Sequence, residues 1–195
     1  MIRAALVATA WRVASLDRRL LLAVRRLESR AMTRLMRVFT HLGDTGSWLL
    51  VGLLFGCGGG EGPRHCALLG TAAGIALTLS QPLKRVCRRP RPDRGIGGFA
   101  ALAENPDAFS FPSGHTAVAF AVASAFAGEG SGLGTLVLVL ALGIAISRVY
   151  LGAHYPLDVA AGVLLGTVAG TSARIVVGQY PLLKLLGYAV VASVS

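Results

Sequence analysis

Charge is scarce in this chain, and acid is scarcer still. Asp, Glu, Lys and Arg make up 14% of the 195 residues, with nine acids against 19 bases and a net charge of +10. So few polar side chains could not coat a compact soluble helical core of this size, which excludes that class. Cysteine is sparse as well. Cys57, Cys66 and Cys87 show neither a CxxC pair nor Cys/His ligand spacing. That excludes a zinc site and a disulfide framework, and leaves them as small apolar packing residues. Aromatics are only 7% and do not interleave with the basic residues, so the positive charge does not read as a nucleic-acid module. No internal repeat or low-complexity tract is present. A secretory signal peptide is not expected, because the apolar run 4–10 is short and Arg12 follows almost at once.

What the chain does have is apolar length: 54% of its residues are hydrophobic. Several runs approach the roughly 20 residues needed to cross a bilayer core of about 30 Å. Residues 66–83 form one, ended by Lys84; 133–151 form another, carrying Ser147 and Arg148 near its end; 157–177 form the longest. Residues 47–59 and 116–128 are shorter and lengthen only if their neighbours are helical. Residues 180–194 are a weaker sixth candidate, interrupted by Lys184. The expectation is an all-α protein, a polytopic transmembrane helical bundle with five or six spans.

Residues 1–45 read as a separate basic amphipathic arm, ahead of a transmembrane domain over 46–195. Val13, Leu16, Leu20, Val24, Leu27, Ala31, Leu35 and Val38 recur at three- and four-residue steps, one helical face. Arginines fill the other positions. Such a helix favours the headgroup layer, where guanidinium groups meet lipid phosphates. Asp44, Thr45 and Ser47 are capping candidates for the helix that follows, and Trp48 suits the interface.

Polar residues inside the apolar frame are the informative ones. In an antiparallel bundle the end of the second span, the start of the third, the end of the fourth and the start of the fifth share one membrane face. Lys84 with the basic segment after it, Pro112–His115, Ser147–Arg148 and His154–Asp158 therefore converge. Lys84, Arg88, Arg89, Arg91 and Arg148 concentrate cations and fork-shaped donors suited to a multiply charged oxyanion such as phosphate. Ser113 and Gly114 stand where a helix begins, and free backbone N–H groups there can hold the same anion. Pro156 fits the first turn of the fifth helix, which puts Asp158 in that turn and His154 just outside it. A histidine oriented by a carboxylate can act as a nucleophile or a base. His115 can protonate a leaving oxygen from the opposite side. Singly, each residue has a structural account as a cap, a snorkelling arginine or a hydrogen-bonded core histidine. None of those accounts requires the clusters to share a face.

Lys84 followed after six residues by Arg91–Pro92, then Pro112–Ser113–Gly114–His115, then Ser147–Arg148 with His154 and Asp158 beyond, resembles the three signatures of the type 2 phosphatidic acid phosphatase superfamily, complete and in order. The resemblance implies a membrane phosphatase of lipid phosphates that uses no metal or other cofactor and passes through a phosphohistidine. On this chain it implies that His154 attacks phosphorus while Asp158 holds and polarises it, and that His115 protonates the leaving alcohol. Lys84, Arg91, Arg148, Ser113 and the Gly114 backbone would hold the phosphoryl oxygens. Arg85, Arg88 and Arg89 fall outside the fixed positions, and attracting an anionic head group or fixing topology would account for them.

The implied partners are the bilayer and a lipid substrate: phosphatidate, phosphatidylglycerol phosphate, a polyprenyl pyrophosphate or a polyprenyl-linked sugar phosphate. A homo-oligomer is compatible with the sequence. Vanadium haloperoxidases share the signatures but are typically larger soluble proteins. A non-catalytic carrier of phosphorylated lipid would bind without releasing phosphate. If 47–59 is the first crossing, the arm and the site share a face of the cell membrane that carries 16 of the 19 basic residues. The positive-inside rule then favours the cytoplasm.

Overall fold

The computed structural model describes residues 2–104, 107–130 and 132–179. Among the described residues the chain is helical: α1 (Ile2–Arg25), α2 (Arg30–Leu42), α3 (Thr45–Cys57), α4 (Gly62–Cys87), the single turn α5 (Pro92–Gly95), α6 (Gly114–Ala125), α7 (Leu133–Tyr150) and α8 (Pro156–Gln179). Three of these, α4, α7 and α8, are long and apolar enough to cross a membrane. α2 and α3, bent by 56° at their junction, supply a fourth crossing if counted as one broken span. α6 has 12 residues, about 18 Å of helix, short of a full hydrocarbon core. The expected five or six crossings therefore rest on α6 and on 180–194, and the latter run lies outside the described residues.

α6 is the centre of the bundle. Its residues Thr116–Ala123 and Ala125 are buried, as befits a helix that is apolar all round. α4, α7 and α8 pack about it. Contact with α8 is close because Gly162, Gly166 and Gly170 recur every fourth residue on the facing stripe. A Cβ at these positions would come within 2.8 Å of Ser113 O, 2.4 Å of Ala117 O and 2.1 Å of Ala121 O respectively. Small residues at such an interface let two backbones touch, the usual solution where lipid supplies no hydrophobic drive between helices. That contact sets the start of α6 against the start of α8: the Ser113 N–H donates to Asp158 O at 3.0 Å.

The arm departs from one continuous helix. It breaks at residues 26–29, where the Ser29 side chain accepts from the Met32 N–H and caps α2. The end of α7 fixes the break: the Ser29 N–H donates to Tyr150 Oη at 3.1 Å, and Thr33 Oγ1 lies 3.2 Å from the same oxygen. Leu16, Leu20, Leu27, Leu35 and Val38 of the anticipated apolar face are exposed, as a lipid-facing surface requires. A second face, carrying Asp17 and Leu21, is buried against the bundle. Trp48, expected at the interface, is instead 6% exposed within the core.

Candidate active site

Each element ends where it must to deliver a polar side chain to one place. α4 stops beyond Lys84 because Arg88 takes a left-handed conformation, φ 45°, as its C-cap. Such a backbone costs a residue with a Cβ roughly 1 kcal/mol, and the turn brings Arg89 and Arg91 back towards the bundle. Gly152, at φ +71°, makes the turn between α7 and α8 with the Phe99 ring pressed against it, leaving no room for a Cβ. The Ala153 and His154 N–H groups both donate to Arg148 O at 3.1 Å, so the loop is closed on the end of α7.

The result is a cavity of about 1060 Å³. Lys84, Arg91, Gly114, His115, Arg148 and His154 line it, six of the eight anticipated site residues from all three signatures. Ser113 and Asp158 sit one layer behind, with no exposed surface. Ser113 Oγ lies 2.9 Å from Thr116 Oγ1. Asp158 Oδ2 accepts from the Tyr155 N–H at 2.9 Å and stands 3.7 Å from His154 Nδ1. That separation is ion-pair distance, longer than a hydrogen bond.

The two arginines are fixed in place by hydrogen bonds. Arg91 donates to Ala153 O and Asp107 O, each at 2.8 Å, and its Nη1 lies 3.3 Å from His154 Nε2. Arg148 donates through Nη1 to Thr40 Oγ1 at 2.5 Å. Arg148 Nε and His154 Nδ1 are buried with no hydrogen-bond partner among the described residues. Burial, and then the neighbouring Arg148, Arg91 and Lys84, hold the His154 imidazole well below its ordinary pKa. It is therefore neutral, with the lone pair a nucleophile needs.

Three carboxylates that sequence reasoning did not place in the site belong to it, and Arg89 takes a role other than the expected one. The Asp107 carboxylate pairs with Lys84 and reaches Arg91 at 3.5 Å. Although burial raises its pKa, Lys84 and then Arg91 bring it below the usual range. Asp44 caps nothing with its side chain; its carboxylate lies 2.8 Å from His115 Nε2 and 3.0 Å from His41 Nδ1. Arg89, read above as a head-group or topology residue, points inward. It donates to Asp158 Oδ1 at 2.7 Å and to Asp17 Oδ2 at 2.6 Å. Asp17 carried a signal that could have been read: it is the one acid in residues 1–27, set among arginines. For Asp44 and Asp107 nothing local distinguishes a site carboxylate from a turn residue.

Among the described residues no three His, Cys, Asp or Glu side chains gather as a metal site would require. The charge an anion meets here is that of Lys and Arg.

Known proteins resemble this chain in sequence and in fold. The decaprenylphosphoryl-5-phosphoribose phosphatase of Mycobacterium tuberculosis is 35% identical over 135 residues, 69% of this chain and 74% of that protein. The crystal structure of Aquifex aeolicus LpxE superposes with a TM-score of 0.72 at 26% identity, covering 85% of this chain and 96% of that one. A transmembrane PAP2-type phosphatidylglycerolphosphate phosphatase from Bacillus subtilis superposes with a TM-score of 0.68 at 28% identity, covering 83% of this chain and 84% of that one. The family model of the PAP2 superfamily matches residues 65–180, and with all three signatures assembled around one cavity, this chain belongs to that superfamily.

Proposed function

We infer that this protein is an integral membrane phosphatase that hydrolyses a lipid-linked phosphate through a phosphohistidine. The observation that carries the reading is the shared cavity: two histidines from different signatures, with Lys84, Arg91 and Arg148, line one space that the bundle encloses. In this reading the phosphoryl oxygens take the free Arg148 Nε–H, the Arg91 and Lys84 donors and the backbone at the start of α6. Stabilising the transferring group is most of the work in such a reaction.

His154 Nε2 attacks phosphorus, the bond from phosphorus to the lipid oxygen breaks with its electron pair going to that oxygen, and His115 supplies the proton. Water then attacks phosphorus, His115 accepts the water proton, and the P–N bond returns its electrons to His154 as inorganic phosphate leaves. Asp158 sits behind His154 to steady the positive imidazolium formed in between.

For the substrate, a polyprenyl-linked sugar phosphate is favoured among the four lipid classes. The support is the likeness to decaprenylphosphoryl-5-phosphoribose phosphatase over two thirds of the chain. Asp44, Thr45 and Glu104 also line the cavity and offer acceptors to a hydroxyl-rich head group. The site faces the cytoplasm: the arm packs beside it, so that Arg148 meets Thr40 of α2 and Arg89 meets Asp17 of α1, and most of the arginines lie at that end.

The test is phosphate release by the purified protein in detergent across a panel of the four lipid classes, with EDTA present. Turnover that survives chelation and is greatest on the sugar phosphate is expected; dependence on added metal would overturn the mechanism. His154→Ala and His115→Ala should each lower kcat by about a hundredfold to ten-thousandfold. His154→Ala, but not His115→Ala, should also abolish acid-labile ³²P labelling of the protein.

A further inference from the structure

The N-terminal helix, anticipated as a membrane-surface arm, reaches the catalytic carboxylate. Asp17 is 2% exposed although it lies in the arginine-rich arm. One of its oxygens, Oδ2, accepts from Arg89 at 2.6 Å; the other, Oδ1, accepts from the Leu157 N–H at 2.9 Å. Leu157 belongs to the first turn of α8, where backbone donors are unsatisfied and a carboxylate is favoured. Arg89 uses its second Nη on Asp158 Oδ1 at 2.7 Å, and its guanidinium lies 4.1 Å from the centroid of the Tyr155 ring. Leu21, one turn beyond Asp17, packs on Ile96 and Tyr155. Two carboxylates from opposite ends of the sequence thus share one planar cation, and both also bind N–H groups at the start of α8.

We propose that Asp17 and Arg89 are positioning residues for the phosphoryl-transfer reaction, a part-buried bridge that makes the N-terminal helix part of the active site. This rests on the phosphatase reading above. Arg89 fixes the rotation of the Asp158 carboxylate by holding Oδ1, which leaves Oδ2 for the Tyr155 N–H and the His154 ring. It also offsets a charge that would otherwise be buried alone. Asp17 in turn fixes Arg89, whose fork spans the two acids as a lysine ammonium could not. Neither residue lines the cavity, so neither binds the substrate.

Full-length variants purified in detergent test this through the division between kcat and KM. Arg89→Gln is expected to lower kcat about a hundredfold with KM within about threefold of wild type, the scale of loss when a reacting group is misplaced by an ångström. Asp17→Asn is expected to lower kcat about tenfold, as an outer-sphere partner does, and Arg89→Lys to retain more activity than Arg89→Gln. Arg26→Ala, at an exposed position just beyond the end of α1, should leave both constants unchanged. If Arg89→Gln does not fold, Asp17→Asn and Arg89→Lys still decide the matter, with thermal melting in detergent as the check on folding. A rise in KM at unchanged kcat would overturn the proposal and make Arg89 a head-group ligand. Folded variants with wild-type kcat would overturn it outright. A wild-type protein that releases no phosphate from any lipid of the panel would instead sink the phosphatase reading, and this proposal with it.

Discussion

On the proposed phosphatase reading, Asp107 competes with the phosphate for its cations. Its carboxylate, on the segment between the first two signatures, pairs with Lys84 and reaches Arg91, so a substrate must displace it before the cations can clamp the phosphoryl group. The group is a carboxylate throughout the working range, because Lys84 and then Arg91 outweigh the burial that would raise its pKa. The charge that Asp107 brings to the competition is therefore the same on either side of neutral pH. Asp107→Asn is expected to lower the Ki of inorganic phosphate or vanadate by up to about fivefold, the most that losing one half-exposed competing ion pair of about 1 kcal/mol allows. Weaker inhibition would show that Asp107 orders the cations and does not compete for them. His154 makes a second prediction at this scale. Its folded-state pKa is depressed, first by burial and then by three cations. The unfolded chain therefore binds the extra proton below about pH 6.5, and stability falls with pH there. Between pH 7 and pH 5 this one group removes up to about 2 kcal/mol. His154→Gln should flatten the fall in melting temperature of the substrate-free protein over that interval; an unchanged slope would place the proton elsewhere.

Among the elements, the pairing of α6 with α8 matters most, since it brings the second signature against the third. Gly166 sits at the middle of the glycine stripe, and a Cβ there would meet Ala117 O, Phe120 Cβ and Ala121 N, all within 2.9 Å. Gly166→Leu should destabilise the protein by about 1–3 kcal/mol or more, as overpacking does, and lower kcat because Ser113 and Asp158 move apart. Melting in detergent and turnover measured together check it; loss of stability with full turnover would show that the contact serves the fold alone. What could be read from the sequence divides along the same line. α4, α7 and α8 announce themselves as apolar runs, and Lys84, Arg91, His115, Arg148 and His154 stand out because a polar residue beside such a run needs a reason. The break between α1 and α2 was not legible: the oxygen that fixes Ser29 belongs to Tyr150, 121 residues away. Asp44 and Asp107 were missed on the same ground, since their site partners His115 and Lys84 are brought by tertiary packing and not by spacing.

For the whole molecule, orientation decides which pool of substrate the enzyme can meet, and the chain carries its own markers for it. Cys57 ends α3 and Cys87 ends α4; both are exposed. Cys66 lies near the start of α4, whose 26 residues rise about 39 Å, enough to cross the hydrocarbon core. Cys87 is therefore at the site end, three residues beyond Lys84, and Cys57 is at the far end. Single-cysteine variants made with serine at the other two positions can be treated with a membrane-impermeant maleimide, on intact cells and after permeabilisation. A cytoplasmic site requires Cys57 to react in intact cells and Cys87 only once the membrane is opened. The reverse pattern would put the catalytic cavity outside, with the arginine-rich arm beside it, and would overturn the positive-inside assignment. Reaction of both in intact cells would mean that α4 does not cross. The phosphatase chemistry survives either orientation, because the cavity is built by contacts within the bundle; only the lipid leaflet it drains would change.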